Sequence, residues 1–260
     1  MAGHSKWSKI KHKKAINDAK RGKTFSKLLQ QITSAAREGG PDVDSNPTLR
    51  LLVEKAKAES LPKANVERAI QRGAGISKDG KKMETAYYEG FSADGVGIIV
   101  ETITDNTNRT VSELRTIFSK HGGRLGDKGS VSWNFDNVGR IVVAAGKMQK
   151  SEKYGEGDIF IPVDVDEVVE GLFELDGIQD IGEPFKVGEK DLIEVITSPK
   201  DLNEVRSKLE DKGWVIEEIE LTKKVKTPKK DDAGVREKVE KLLQDLEANE
   251  DVQRTWTELN

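Results

Sequence analysis

The chain has no cysteine, only three histidines and an aromatic content of 5% over its 260 residues. Without cysteine there are no disulfide bonds, no thiolate metal sites and no thiol catalysis. The longest apolar runs, GVGIIV and IVVAA, fall far short of the roughly 20 residues that span a bilayer, and no secretory apolar core follows the basic start. These absences predict a cytoplasmic protein that has no membrane partner.

Groups that could perform catalysis are also scarce. His4, His12 and His121 lie in unrelated contexts, and none has the spacing of a nucleophile triad. The segment DVDEV at 164–168 resembles a metal-binding pair, but acids at that place also fit the start of a helix. The Gly-rich segment GGRLGDKGS at 122–130 lacks the GK[ST] order of a phosphate-binding loop. The sequence therefore predicts no enzyme activity, no metal site, no cofactor and no small-molecule substrate.

Positive charge is what the start of the chain has in excess. Residues 1–27 carry nine Lys or Arg against one Asp, a net of +8, on a chain whose formal net charge is −3. Residues 83–260 carry 24 Lys or Arg against 38 Asp or Glu, a net of −14. A basic segment joined to an acidic body is typical of a module that binds a polyanion. This asymmetry predicts nucleic acid as the partner.

Apolar residues recur at helical spacing in three segments near the start. The first runs from Phe25 to Ala36 and ends at two glycines; the second begins at Asn46, a favoured cap residue, with Pro47 in its first turn. The third begins at Pro62 and ends at Gly73. We therefore expect a basic tail over 1–24 that leads into a three-helix domain over 25–78.

Strands and helices alternate in the rest of the chain. TAYYEGFS and GVGIIVETIT predict strands, a helix follows them, and the alternation in VSWNF predicts a half-buried strand. A β-α-β-β-α-β succession over 138–222 is the ferredoxin-like signature. We expect the last helix to return to a middle α/β domain made of 79–137 plus 223–260, so that the ferredoxin-like domain is an insertion. The predicted fold class is α+β, with a three-helix domain followed by two α/β domains.

The lysines of the first helix extend the charge of the tail. On a helical wheel Lys20, Lys23 and Lys27 lie opposite the apolar stripe, as a ridge that suits repeating phosphates and needs no base reading. Trp7 either stacks on an exposed base or anchors the tail to its own domain. A membrane surface and a helix-turn-helix that reads DNA explain the sequence less well, since bulky anchors and base-reading side chains are missing. A protein-binding adaptor would leave the charge of the tail unexplained.

Several segments together resemble the YebC family, whose mitochondrial relative is the translational activator of cytochrome c oxidase. They are MAGHSKWSKIKHKKAINDAKRGKTFSKL, SNPTLR, PKANVERAIQRG, YEGF, TDNTNRT, SKHGG, GSVSWNF and DVQRTW. The resemblance runs from Met1 to about Trp256. It implies one helical and two α/β domains arranged around a cleft, and a non-enzymatic role in gene expression.

The resemblance leaves two mechanisms open. Many members of the family are regulators of transcription that bind DNA, and others resemble ribosome-associated factors that relieve stalling, notably on proline-rich nascent chains. A Lys-rich tail on a chain without a base-reading helix favours rRNA, whose shape and phosphates are recognised. The ribosome is thus the favoured partner and duplex DNA the alternative.

The resemblance also implies which residues bind. The TDNTNRT turn, with Asn106, Asn108 and Arg109, either faces the cleft and touches a ligand or only caps the next helix. The residues implied to contact nucleic acid are Lys6, Trp7, Lys9, Lys11, Lys13, Lys14, Lys20, Arg21, Lys23 and Lys27.

Overall fold

The computed structural model describes residues 18–75, 84–149, 159–230 and 232–259, with side chains from Phe25 onwards. The predicted α+β fold class is confirmed. The helices are α1 Asp18–Gly39, α2 Pro47–Ala58, α3 Lys63–Gly73, α4 Thr107–Lys120, α5 Val165–Phe173, α6 Leu202–Asp211 and α7 Ala233–Ala248. The strands are β1 Glu84–Phe91, β2 Gly97–Thr104, β3 Arg124–Leu125, β4 Phe135–Gln149, β5 Ile159–Pro162, β6 Ile178–Ile181, β7 Phe185–Val187, β8 Lys190–Thr197, β9 Trp214–Val225 and β10 Val252–Thr257.

Two compact units make up the described chain. Residues 135–228 form the ferredoxin-like unit, and the described residues up to Asn134 join Lys229–Leu259 in a second unit, here called the split unit. The division into three domains with the boundaries given above stays a prediction.

The split unit begins with three packed helices. Leu28 and Ile32 of α1 are buried in one cluster with Leu49 and Ala56 of α2 and with residues of α3. The side chain of Asn46 accepts a hydrogen bond from the backbone N–H of Leu49 at 3.0 Å, so it caps α2 as predicted. The three predicted helices are therefore present.

The split unit also contains a four-stranded antiparallel sheet, in the order β10-β2-β1-β3. Helices α4 and α7 contact each other, and they bury Leu114, Phe118 and Leu242. Gly90 of β1 is required by this packing, because a Cβ atom there would lie 2.7 Å from the ring of Phe118. The sheet thus has one of its faces packed against helices.

Two features of this sheet differ from the sequence analysis. Strand β10 was not predicted, because DVQRTW lacks the alternation of apolar and polar residues that marks a half-buried strand. The segment VSWNF was predicted as a strand, but Ser132–Asn134 is a 3-10 turn and β4 begins only at Phe135. The predicted alternation put Trp133 on the buried face of that strand, which was wrong, since the residue is 66% exposed.

The ferredoxin-like unit has the predicted β-α-β-β-α-β succession. Its long strands are antiparallel neighbours in the order β9-β4-β8-β6, and α5 and α6 pack on the sheet. The short strands β5 and β7 are additions that the sequence analysis did not predict. Arg140 is buried in β4, and its guanidinium lies 2.7–3.2 Å from the carboxylates of Glu194, Glu218 and Glu220. That charge is therefore neutralised within the unit.

Candidate nucleic-acid interface

Most of the predicted nucleic-acid contacts lie outside the described part of the chain. Lys20, Arg21 and Lys23 lie in the first turns of α1, where the backbone is described and the side chains are not. Among the predicted contacts, only Lys27 has a described side chain. The predicted residues outside the described ranges are Lys6, Trp7, Lys9, Lys11, Lys13 and Lys14.

Lys27 has a structural contact of its own. Its Nζ atom donates to the backbone carbonyl oxygen of Glu247 at 3.1 Å, in the last turn of α7. Carbonyl groups in a last helical turn have no partner within the helix and attract cations. Lys27 thus links α1 to the end of α7 by a hydrogen bond, and its contact with nucleic acid stays a prediction.

The three-helix segment itself has little excess charge. Residues 25–73 carry eight Lys or Arg against six Asp or Glu, a net of +2. The side chains of Lys63, Arg68 and Arg72 on α3 are exposed, and so are those of Lys55 and Lys57 on α2. The basic character of the protein is therefore concentrated before Phe25, in the tail and the first turns of α1, rather than on the packed part of the three helices.

The TDNTNRT turn stands at the start of α4. The side chain of Asn106 accepts a hydrogen bond from the backbone N–H of Arg109 at 3.1 Å, which makes Asn106 the N-cap of this helix. Asn108 is exposed on the first turn. The capping alternative of the sequence analysis is therefore present, whereas a ligand contact of these residues stays a prediction.

Arg109 is surrounded by carboxylates. One of its terminal nitrogens, Nη2, lies 3.0 and 2.9 Å from the two carboxylate oxygens of Asp251, and Nη1 lies 3.1 Å from Asp105. The hydrogen bond and the charge of Asp251 raise the pKa of Arg109 above its ordinary value. The charge of Arg109 is thus compensated within the fold.

Asp251 is the residue that organises this cluster, and the sequence analysis missed it. It is 6% exposed, and its Oδ2 atom accepts hydrogen bonds from the hydroxyl groups of Thr110 at 2.7 Å and Thr104 at 3.0 Å. Both threonines are fully buried. No local pattern could reveal the cluster, because Asp251 precedes the unpredicted strand β10 and lies 142 residues from Arg109.

A second buried carboxylate, Glu89 of β1, holds the turn that follows β3. Its oxygens accept hydrogen bonds from the backbone N–H groups of Gly129, Val131 and Ser132 at 2.8, 2.5 and 2.9 Å. Burial raises the pKa of Glu89, but these donors outweigh it and the pKa lies below its ordinary value. Glu89 was missed too, since backbone donors leave no pattern of side chains in the sequence.

Within the described ranges no group of three or more His, Asp or Glu side chains is arranged to hold a metal ion. No helix in those ranges is both long and apolar enough to cross a bilayer.

The fold and the charge distribution define an α+β protein that has a basic N-terminal segment. A family model described as the TACO1/YebC protein N-terminal domain matches residues 5–76, and one described as the TACO1/YebC second and third domain matches residues 83–259. The chain therefore belongs to the TACO1/YebC family, as the resemblance implied.

Relatives of similar length share the name of probable transcriptional regulatory protein. One from Dictyoglomus turgidum is 42% identical over 256 residues, which cover 98% of this chain and 94% of the relative. One from Paraburkholderia xenovorans is 44% identical over 257 residues, 99% of this chain and 97% of the relative. The crystal structure of a conserved hypothetical protein from Aquifex aeolicus is similar with a TM-score of 0.78 and 40% identity, and covers 96% of this chain and 95% of that one.

Proposed function

We propose that this protein is a non-enzymatic regulator of gene expression that binds rRNA on the ribosome through its Lys-rich N-terminal tail and relieves stalling at proline-rich stretches. The observation that carries the proposal is the net charge of +8 over residues 1–27, on a chain whose residues 83–260 have a net charge of −14. We place this activity in the cytoplasm.

Physical chemistry connects this charge to folded RNA. Cations spaced along a chain bind phosphates by releasing counterions, which gives affinity without reading bases. The acidic body opposes non-specific coating of long nucleic acids, because like charges repel at short range. Arg109 and Arg140 are compensated by carboxylates, so these two buried or half-buried cations add little to the attraction.

A DNA-binding regulator of transcription is the second candidate. The relatives from Dictyoglomus turgidum and Paraburkholderia xenovorans are named as probable transcriptional regulatory proteins. The same tail would bind the phosphates of a duplex, so charge alone does not decide between the two candidates.

A pair of charge-matched variants tests the role of the tail. The first variant replaces Lys9, Lys11 and Lys13 by Gln. The control variant replaces three exposed lysines of the ferredoxin-like unit by Gln as well. Each variant changes the net charge by −3. The control residues are Lys147, Lys186 and Lys200.

The tail variant should lose co-sedimentation with ribosomes at physiological salt, and the control should keep it. If all three lysines contact phosphates, the log–log salt slope should fall by about 2 on single strands and about 3 on duplex DNA. Equal behaviour of the two variants would refute the role of the tail.

Competition with duplex DNA separates the two candidates. On the ribosome hypothesis, the intact protein stays with ribosomes in a large excess of random duplex. If the duplex removes it, or if one DNA sequence binds roughly a thousandfold more tightly than random duplex, transcription is the function instead.

A further inference from the structure

We propose that Trp133 forms a second nucleic-acid contact, at which its indole ring stacks on an unpaired base. This inference rests on the proposed function and adds a preference for single-stranded segments. The site is the turn from Gly129 to Asn134, here called the Trp133 turn, together with the cations beside it.

The indole of Trp133 is exposed and yet held in place. The residue is 66% exposed, whereas Trp214 and Trp256 are 8% and 6% exposed. Its Nε1 group donates to the carbonyl oxygen of Ser130 at 3.0 Å, within the same turn. Because this hydrogen bond uses the polar edge of the indole, the exposed surface of the ring is aromatic.

Buried carboxylates anchor the Trp133 turn at both ends. Glu89 accepts backbone hydrogen bonds from Gly129, Val131 and Ser132, and Gly129 has a φ of +91°, a value that favours glycine. At the other end the side chain of Asn134 donates to Glu258 at 2.9 Å, and Glu258 also accepts from the backbone N–H of Gly97 at 2.8 Å. A ring on a turn fixed in this way loses little conformational freedom when it stacks on a ligand.

Cations lie beside the turn. Lys128 is exposed at its start, immediately before Gly129. Lys229 lies at the other end, with its Nζ atom 3.3 Å from Glu258, so that this carboxylate compensates part of its charge. Aromatic rings interleaved with cations are the combination by which proteins bind single strands, since the ring stacks on a base and the cations bind phosphates.

The chemistry favours an unpaired base over a paired one. In a duplex the bases are stacked on each other, and an indole reaches a base face only where the strand is open. The tail binds phosphates, which both duplexes and single strands present. Trp133 would therefore add discrimination between open and paired segments to the phosphate contacts of the tail lysines.

Binding measurements on the full-length protein test whether Trp133 stacks on unpaired bases. The probes are an oligouridylate and a duplex RNA of the same length, and the variants are Trp133→Leu and Trp133→Phe. Trp133→Leu should weaken oligouridylate binding roughly 5- to 150-fold, as expected for the loss of one stacking aromatic, and should leave duplex binding and the salt slope unchanged. Trp133→Phe should keep most of the affinity.

The matched control is Phe173→Ala, which removes a 75% exposed aromatic from the ferredoxin-like unit and should bind both probes like the parent.

Fluorescence gives an independent readout. In a Trp7→Phe background, oligouridylate should quench Trp133, because the other two tryptophans are buried. Unchanged oligouridylate binding by Trp133→Leu, an equal loss on both probes, or no quenching would overturn the inference.

The inference and the proposed function fail differently. If the tail lysine variant loses binding to both probes while Trp133→Leu loses none, the tail function stands and the stacking site does not. If the full-length protein binds neither ribosomes nor the probes, both are refuted.

Discussion

Two carboxylates of the split unit, Asp251 and Glu89, are equally buried but are held by different kinds of donor. Each residue is 6% exposed. Asp251 accepts from the side chains of Arg109, Thr104 and Thr110, whereas the backbone hydrogen bonds to Glu89 come from Gly129, Val131 and Ser132. A carboxylate held by side-chain donors requires particular residue types at the donor positions. A carboxylate held by backbone donors instead holds the backbone in one conformation, whatever the side chains of the donor residues are.

This difference bears on how function is inferred from a motif. TDNTNRT is the more conspicuous segment, yet the charge of its Arg109 is compensated by Asp251 and Asp105. The Gly-rich turn that Glu89 holds has no recognisable binding motif in its sequence, yet its Trp133 side chain is exposed. The contacts of a conspicuous polar motif can thus lie within the fold, while an inconspicuous turn places an aromatic ring at the surface.

The largest effect should come from removing Asp251. Asp251→Ala should lower the free energy of unfolding by about 2–4 kcal/mol, somewhat less than the roughly 3–5 for a fully buried pair, because Arg109 is half exposed and keeps Asp105. The loss arises because two buried threonine hydroxyls lose their shared acceptor. Urea denaturation followed by circular dichroism measures it.

The control is Asp245→Asn, which removes the exposed carboxylate that pairs with Lys120 and His121 on the surface. It should change stability much less than Asp251→Ala. Combining Asp251→Ala with Arg109→Ala should cost less than the sum of the single variants, since the two residues share one interaction. Strict additivity would show that the ion pair does not hold the cluster.

Glu89→Gln should have an intermediate effect of about 1–3 kcal/mol on the free energy of unfolding. The amide keeps one acceptor oxygen, but its NH₂ group faces backbone N–H donors that it cannot satisfy. Circular dichroism melts measure the loss of stability. Collisional quenching of Trp133 fluorescence should at the same time show a more mobile turn.

The dependence of this effect on pH has a defined sign. The folded-state pKa of Glu89 lies below its unfolded value of about 4.3, so its contribution is complete above that value and is lost as the pH falls through the folded-state pKa. The gap in stability between the parent and Glu89→Gln should therefore be constant near neutral pH and narrow in acid. A gap that stays constant down to the acid unfolding transition would contradict the role of the charge.

Local signals sufficed where a structural element depends on its own residues. The apolar stripe from Leu28 to Ala36 predicts α1, and the cap at Asn46 with Pro47 in the first turn predicts α2. Each of these signals lies in the helix that it predicts or directly beside it. Strand β10 was missed because it exists only through pairing with β2, about 150 residues earlier. The turn at Trp133 was misread as a strand because alternation was the only local signal, and Glu89 overrides it from another strand.

The smallest effect should come from Asn106, the cap of α4. Asn106→Ala should lower the free energy of unfolding by about 1 kcal/mol, since one backbone N–H at the start of the helix loses its acceptor and the site is open to water. Asn46→Ala should cost more, because the buried Asn46 also donates to the carbonyl oxygens of Ala35 and Gly40, which belong to α1 and its end. Urea denaturation of both variants makes this comparison, with Asn106→Asp as the control that keeps an acceptor at the cap.

Ribosome co-sedimentation should be unchanged in Asn106→Ala if Asn106 only caps α4. A loss of co-sedimentation in a variant of near-normal stability would assign Asn106 to a ligand instead, which is the other alternative that its sequence motif raised.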